Sequence, residues 1–377
     1  MKLPEDLVLE ILSRLPVKSL VRFRSVCTSW NHSIVKDFMF VSRHYKNVLL
    51  KQRDLETLLI SRRDDGTNRR VISLLENDDG NGDNTTTLVN QEPPTSFLND
   101  IFGHVRLIGP CNGIICLYGY TDHIALWNPS IHDFKILPRS HVLRPLHARI
   151  RGGDLGIGFD PTTCDLKVMQ ILFCITSDNH LTYHVEIYSS RTNTWKIYQH
   201  NIPGNIMYYN IWSMVYKDET FCWWAQDDDN NNNNNSEIIL SFNMRNEVFR
   251  KTPLPLNIQD LGGQDRTTRA ILPLKESIAL LVYNLKDSDK VFDIWVANQV
   301  GIGRDDWTRL PSVGPISNVE RPLGFWKNNE ELVLESSKGE LVVFKIRDQE
   351  ISNFGIYGKR NRLEMVAYKE SLFRVNM

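Results

Sequence analysis

The chain has 377 residues, 41% of them apolar and 24% charged, with a formal net charge of −1. That length exceeds what one compact core usually takes, so two units, or a small module beside a large one, are expected. The charge balance excludes a field that favours nucleic acid or an anionic membrane, and no run of about 18 apolar residues is present to span a bilayer. Acidic side chains by position 5 and the lack of an apolar signal core predict a cytoplasmic and/or nuclear protein with reduced thiols.

Residues 4–15 read as a helix. Pro4 suits a first turn, and Glu5 and Asp6 suit the positive end of a helix dipole. Leu7, Val8, Ile11, Leu12 and Leu15 recur at helical spacing and cover an arc of about 140° at about 100° per residue. Pro16 stops that helix. A second is expected over 17–25, with Leu20, Val21 and Phe23 apolar, and a third carries Cys27, Trp30 and Ile34. About forty residues bury too little surface to offset their ordering entropy alone. This first segment, 1–44, must therefore dock either on the rest of the chain or on a partner.

From about residue 45 the helical period gives way to short strands. They are predicted at 56–63, 70–76, 105–109, 113–120, 124–130, 165–175 and 184–190, and again at 219–225, 237–244, 277–284, 291–297, 330–337 and 339–346. Turn signals such as Asn112-Gly113, Asn128-Pro129, Asp160-Pro161 and Lys338-Gly339 separate them. A phrase with an aromatic residue followed by a proline recurs, ending at Pro138, Pro203, Pro255 and Pro311, with a degenerate copy ending at Gly358. Intervals of roughly 50–65 residues suit four-stranded, kelch-type propeller blades better than a β-sandwich. The polar stretches 77–87 and 227–236 cannot pack and are expected as loops.

The chemistry of an enzyme is not evident. Cys111 and Cys116 lack a facing pair, and the six cysteines read as small buried hydrophobes in strands. His180 and His184 would stand about 13 Å apart on one face of a strand, too far for one metal. No metal, nucleotide or serine-nucleophile motif is found, so neither catalytic residues nor a cofactor or metal are expected. Basic pairs such as Lys359-Arg360 are too short for a nucleic-acid patch.

The residues Leu3-Pro4, Leu7, Glu10-Ile11-Leu12, Arg14-Leu15-Pro16, Lys18-Ser19-Leu20, Arg22-Phe23-Arg24, Val26-Cys27 and Ser29-Trp30 closely resemble the F-box. Thr28 stands where lysine is common, and Phe38 follows Asp37 where proline is common. The motifs CNGIICL (111–117), LWNPSIHDFKILP (126–138), GIGFDPTTCDLKV (156–168), VEIYSSRTNTWK (185–196), ILSFNMRNEVFR (239–250) and PLGFWKNNEELVL (322–334) resemble the F-box-associated domain of plant F-box proteins. The pollen self-incompatibility branch is similar too.

The resemblance implies a small all-α F-box of three short helices (1–44), a linker with the first strands and a polar loop (45–104), and a large all-β, propeller-like domain of kelch-type repeats (105–377). It implies a substrate-recognition subunit of a Skp–cullin–F-box ubiquitin ligase. Leu3, Pro4, Leu7, Ile11, Leu12, Leu15, Pro16, Leu20, Val26, Cys27 and Trp30 would face the Skp-type adaptor, through which cullin and RING subunits are reached. The β domain would hold a target protein, in self-incompatibility if the branch resemblance holds. Seven cations against four carboxylates in residues 1–44 would suit an acidic adaptor surface. A non-degradative scaffold and a propeller enzyme are the alternatives.

Overall fold

The computed structural model describes residues 4–51, 57–64, 66, 70–78, 85–91, 105–119, 123–141, 149–199, 202, 205–207, 214–217, 220–228, 236–255, 267–275, 277–297 and 307–375. The chain forms two compact units, Met1–Arg139 with Glu364–Met377, and Ser140–Leu363.

The first unit opens with four helices: α1 (Glu5–Leu12), α2 (Val17–Phe23), α3 (Thr28–Lys36) and α4 (Phe38–Lys51). Pro4 and Pro16 sit immediately before α1 and α2 in extended conformation, so each proline sets the entry of a helix. The expectation of three helices is corrected here. Asp37 is extended, and its Oδ1 accepts from the backbone N–H of Met39 (2.9 Å) and Phe40 (3.3 Å), which caps a fourth helix. α4 has a structural task at the end of α1. His44 Nε2 lies 2.9 Å from the Leu15 carbonyl, and Asn47 Nδ2 donates to the Ser13 carbonyl at 3.1 Å. The last carbonyls of α1 are taken up by residues 13–15, and the α4 side chains satisfy the carbonyls of the turn that follows.

In the same unit, β1 (Thr57–Arg63), β2 (Arg70–Asp78) and β3 (Thr85–Gln91) form one antiparallel sheet. A second is β4 (Val105–Cys111), β5 (Ile114–Gly119), β6 (Ile124–Asn128) and β7 (Asp133–Ile136). In the second unit, β8 (Arg149–Asp160), β9 (Asp165–Ile175), β10 (Leu181–Ser189) and β11 (Thr194–Ile197) pair in chain order. The next sheet runs from β12 (Asn205–Met207) to β14 (Thr220–Asp228), β15 (Ser236–Asn243) and β16 (Val248–Pro253), with β13 (Met214–Lys217) also on β14. Then come β17 (Thr267–Leu274), β18 (Ser277–Asn284), β19 (Asp289–Ala297) and β20 (Trp307–Ser317). The last four-stranded sheet is β21 (Val319–Trp326), β22 (Glu331–Ser336), β23 (Glu340–Lys345) and β24 (Glu350–Tyr357).

The final strand, β25 (Glu364–Tyr368), returns to the first unit and pairs antiparallel with β1, so the first sheet is built from both ends of the chain. Six sheets of this kind are the blades of a propeller fold. The recurring aromatic phrase marks the fourth strand of five of them: β7, β11, β16, β20 and β24. β20 and β24 are largely exposed, as expected of strands paired on one edge only, whereas β22 is buried throughout.

Cores lie between neighbouring sheets. Leu59, Leu74, Leu107, Leu117, Trp127 and Tyr368 pack together in the first unit. Phe292, Phe325, Leu332 and Phe344 do so in the second. The Asn112-Gly113 turn has left-handed φ of 51° and 73°, the two-residue hairpin geometry that its sequence predicts. A Cβ on Gly113 would come within 2.6 Å of Ser371 Cβ, so the turn is also glycine because the C-terminal tail crosses it. Four cysteines, Cys111, Cys116, Cys174 and Cys222, are buried in strands. Cys27 and Cys164 depart from that expectation: the first is exposed before α3, and the second is half-buried in a turn at φ 53°.

Candidate adaptor-binding face

The apolar arc of α1 is graded. Taking Leu7 as zero, Ile11 stands at about 40°, Val8 at about 100° and Leu12 at about 140°. Leu7 is 46% and Ile11 49% exposed, Val8 is half-buried and Leu12 is 3% exposed. Leu15, half-buried, lies in the turn beyond the helix. One edge of the arc thus faces the chain's own interior, and the other is uncovered.

The inner edge is held by several contacts. Leu12, Val17, Leu20, Ile34, Phe40 and Val41 are buried. Phe373 of the C-terminal tail meets Phe38 edge-on at 6.0 Å and Tyr45 at 5.7 Å. Burial pushes the Tyr45 phenol above its ordinary range, with a smaller push from the Cys111 thiol. Arg24 and Ile34 line a cavity with His132 and Leu372 where the helices meet the β6–β7 turn and the tail.

That tail is itself clasped. Asn128 Nδ2 donates to the carbonyls of Ser371 (3.1 Å) and Phe373 (2.8 Å), while its Oδ1 accepts from Ser130 N–H (3.0 Å) and Tyr368 O–H (3.2 Å).

The outer edge carries Leu7 and Ile11, flanked by ion pairs. Arg14 reaches Glu10 at 2.6 Å, Arg43 reaches the other Glu10 oxygen at 3.6 Å, and Ser29 donates to Glu5 at 3.3 Å. Pro4 and Pro16 are exposed, as are Val26 (60%) and Cys27, whose Sγ accepts from Trp30 N–H at 3.5 Å. Trp30 is half-buried and tilts against Phe23 at 5.8 Å. Leu3 lies outside the described residues. Leu12 and Leu20, expected on the same face, are 3% and 0% exposed and pack in the interior of this unit. Met39, in the first turn of α4, is 72% exposed.

Comparison with known proteins separates the N-terminal helices from the sheets. A model of the F-box domain matches residues 1–41, and a model of the F-box associated beta propeller domain matches residues 70–374. The chain belongs to the F-box proteins with an F-box-associated β-propeller. The F-box/kelch-repeat protein At3g23880 of Arabidopsis thaliana is 25% identical, over 91% of this chain and 87% of its own length. The F-box protein CPR1 of the same plant is 25% identical, over 94% and 84%. An oligogalacturonate lyase from Vibrio parahaemolyticus covers 80% of this chain and 85% of its own at 11% identity and a TM-score of 0.40, too distant to bear on activity.

In F-box terms, α1 to α3 and the start of α4 are the matched module, and its outward edge is the Leu7–Ile11 stripe. Among the described residues no group of three metal-ligating side chains converges, and no helix is long and apolar enough to cross a membrane.

Proposed function

We propose that this chain is the substrate-recognition subunit of a Skp–cullin–F-box ubiquitin ligase, acting in the cytoplasm or nucleus. The observation that carries the reading is the uncovered Leu7–Ile11 edge on a helix whose opposite edge is already buried. Pro4, Leu15, Pro16, Val26, Cys27 and Trp30, all exposed or half-buried, would add to that surface. The Skp-type adaptor would cover it and bring the cullin and RING subunits. The propeller would hold a target protein.

The chain does no bond chemistry in this role. It raises the effective concentration of target lysines near the charged ubiquitin carrier, to the millimolar range for a short tether. The narrower role in self-incompatibility rests on motif resemblance and requires expression in pollen.

The test is capture of a recombinant Skp-type adaptor by the full chain. A double L7D/I11D variant places two unpaired carboxylates in the interface. A cost of about 3 kcal/mol or more corresponds to at least a hundredfold loss. Undiminished capture by a folded double variant would sink the assignment. Accumulation of the bound target on proteasome inhibition separates a degradative receptor from a scaffold.

A further inference from the structure

One end of the last sheet carries a concentration of positive charge, most of it outside any described ion pair. The β22–β23 hairpin presents Lys338, and the segment after β24 presents Lys359, Arg360 and Arg362, all exposed. The two turns touch: Gly358 N–H donates to the Gly339 carbonyl at 2.9 Å. Gly339 sits at φ 77°, and a Cβ there would press on the Gly358 carbonyl, so the turns are packed backbone to backbone.

Further bonds fix the platform. Ser337 N–H donates to the Asn318 carbonyl (2.8 Å), Arg362 N–H to the Lys359 carbonyl (2.9 Å) and Asn361 N–H to Glu335 Oε1 (2.5 Å). Arg321 holds Glu335 at 2.7 Å and reaches the Leu363 carbonyl at 2.6 Å.

Among the described residues the cluster has one carboxylate contact, Arg360 to Glu320 at 2.7 Å. Lys338, Lys359 and Arg362 make no described ion pair. Like charges gathered on one rigid end repel each other, in a chain whose net charge is −1. A counter-charged partner relieves that repulsion, and a fixed backbone keeps the ordering cost of binding low. Spread over two adjacent turns, the cations suit a row of single carboxylates along an extended segment. Arg360 already shows the pairing on Glu320.

We propose that this end of the last blade docks a carboxylate-rich segment of the target protein. The proposal deepens the receptor reading and rests on it.

The experiment uses the purified full chain, a fluorescein-labelled ten-residue glutamate peptide and fluorescence anisotropy. The variant K338Q/K359Q/R362Q leaves Arg360 on Glu320 and touches none of the backbone ties. Each exposed contact contributes a factor of about two, so the triple variant is expected to bind about tenfold more weakly. Binding by the native chain is expected to fall as salt rises. A control of equal charge change, R191Q/R245Q/R347Q, is expected to bind as the native chain does.

Equal losses in the two variants would overturn the proposal. So would tighter binding of a phosphoserine peptide, or of a single-stranded oligonucleotide, than of the glutamate peptide. Adaptor capture is read on the same preparations. Retained capture without peptide binding overturns the docking surface alone, whereas a native chain that captures no adaptor overturns the receptor reading and this proposal with it.

Discussion

Asn128 offers the sharpest test of how the C-terminal tail is held. It is fully buried, and its amide joins the β6–β7 turn to the C-terminal tail through the carbonyls of Ser371 and Phe373. Replacement by Asp keeps the shape and exchanges the donor for an acceptor. Two buried carbonyls then lose their partner and face a carboxylate oxygen instead. Each orphaned group costs about 1–3 kcal/mol, so the expected loss is about 4 kcal/mol. Against a typical domain stability of about 5–15 kcal/mol that is a large fraction.

The assay is amide hydrogen exchange of residues 369–375 by mass spectrometry, with a urea titration beside it. Protection of the tail should fall by about a thousandfold. The introduced carboxyl is disfavoured when charged, so its folded pKa lies above its unfolded value. The deficit should be complete above that raised pKa and shrink as the pH falls through it towards the unfolded value of about 3.9. A tail equally protected in N128D, with a stability loss below about 1 kcal/mol, would refute the clasp.

Leu20→Ala should cost about 2–5 kcal/mol in urea unfolding, and L7A below about 1, because only Leu20 is buried. For Glu247, burial pushes the carboxyl up, but hydrogen bonds and charge from Lys196 and Lys167 outweigh it and hold it below the ordinary range. Its contribution is therefore present above the unfolded carboxylate pKa and lost as pH falls through the depressed folded value. E247Q should be less stable than the native chain at neutral pH and indistinguishable from it in strong acid, as read by thermal scans. Glu335 behaves oppositely: burial raises it against the pull of Arg321 and the Asn361 N–H, so its ionisation opposes folding as pH rises from the unfolded to the folded pKa. Titration of the native protein with a thiol reagent should find Cys27 and Cys164 fast, with Cys111, Cys116, Cys174 and Cys222 reacting only on unfolding.

The strands with strong apolar runs were legible: 165–175 and 277–284 coincide with β9 and β18. Both faces are buried, so apolar residues dominate the two runs, with Lys167 and Gln170 the polar residues buried inside β9. The fourth strands were visible as a repeated phrase but not as strands, because one face and one edge are solvated and the apolar alternation fades. β20 also carries Pro311, Gly314 and Pro315, residues that read as turns rather than strand. The pairing of β1 with β25 joins Thr57 to Tyr368, and no local pattern encodes such a contact. At the adaptor face the sequence defined the whole arc of α1. It could not divide the arc, since Leu7 and Leu12 are equally apolar and only the chain's own packing decides which edge is covered.

That division leaves the first segment a buried inner edge and, in the receptor role proposed above, an outer edge for the adaptor, on opposite sides of one helix. The inner edge depends on residues far away in sequence. Phe373 fills the space between Phe38 and Tyr45, and α4 runs to Lys51. A fragment of residues 1–44 lacks Tyr45, Asn47 and Phe373, and with them the bond to Ser13 and the edge-on aromatic contacts. Helices of 7–14 residues are marginal alone in water. Such a fragment should therefore show little helical circular dichroism by itself and gain it on adding the adaptor. Adaptor capture by the fragment should be weaker than by the full chain, by the free energy of ordering the helices. Equal affinities would show that the tail and the β6–β7 turn contribute nothing to the F-box, and that the contacts to Phe373 are incidental.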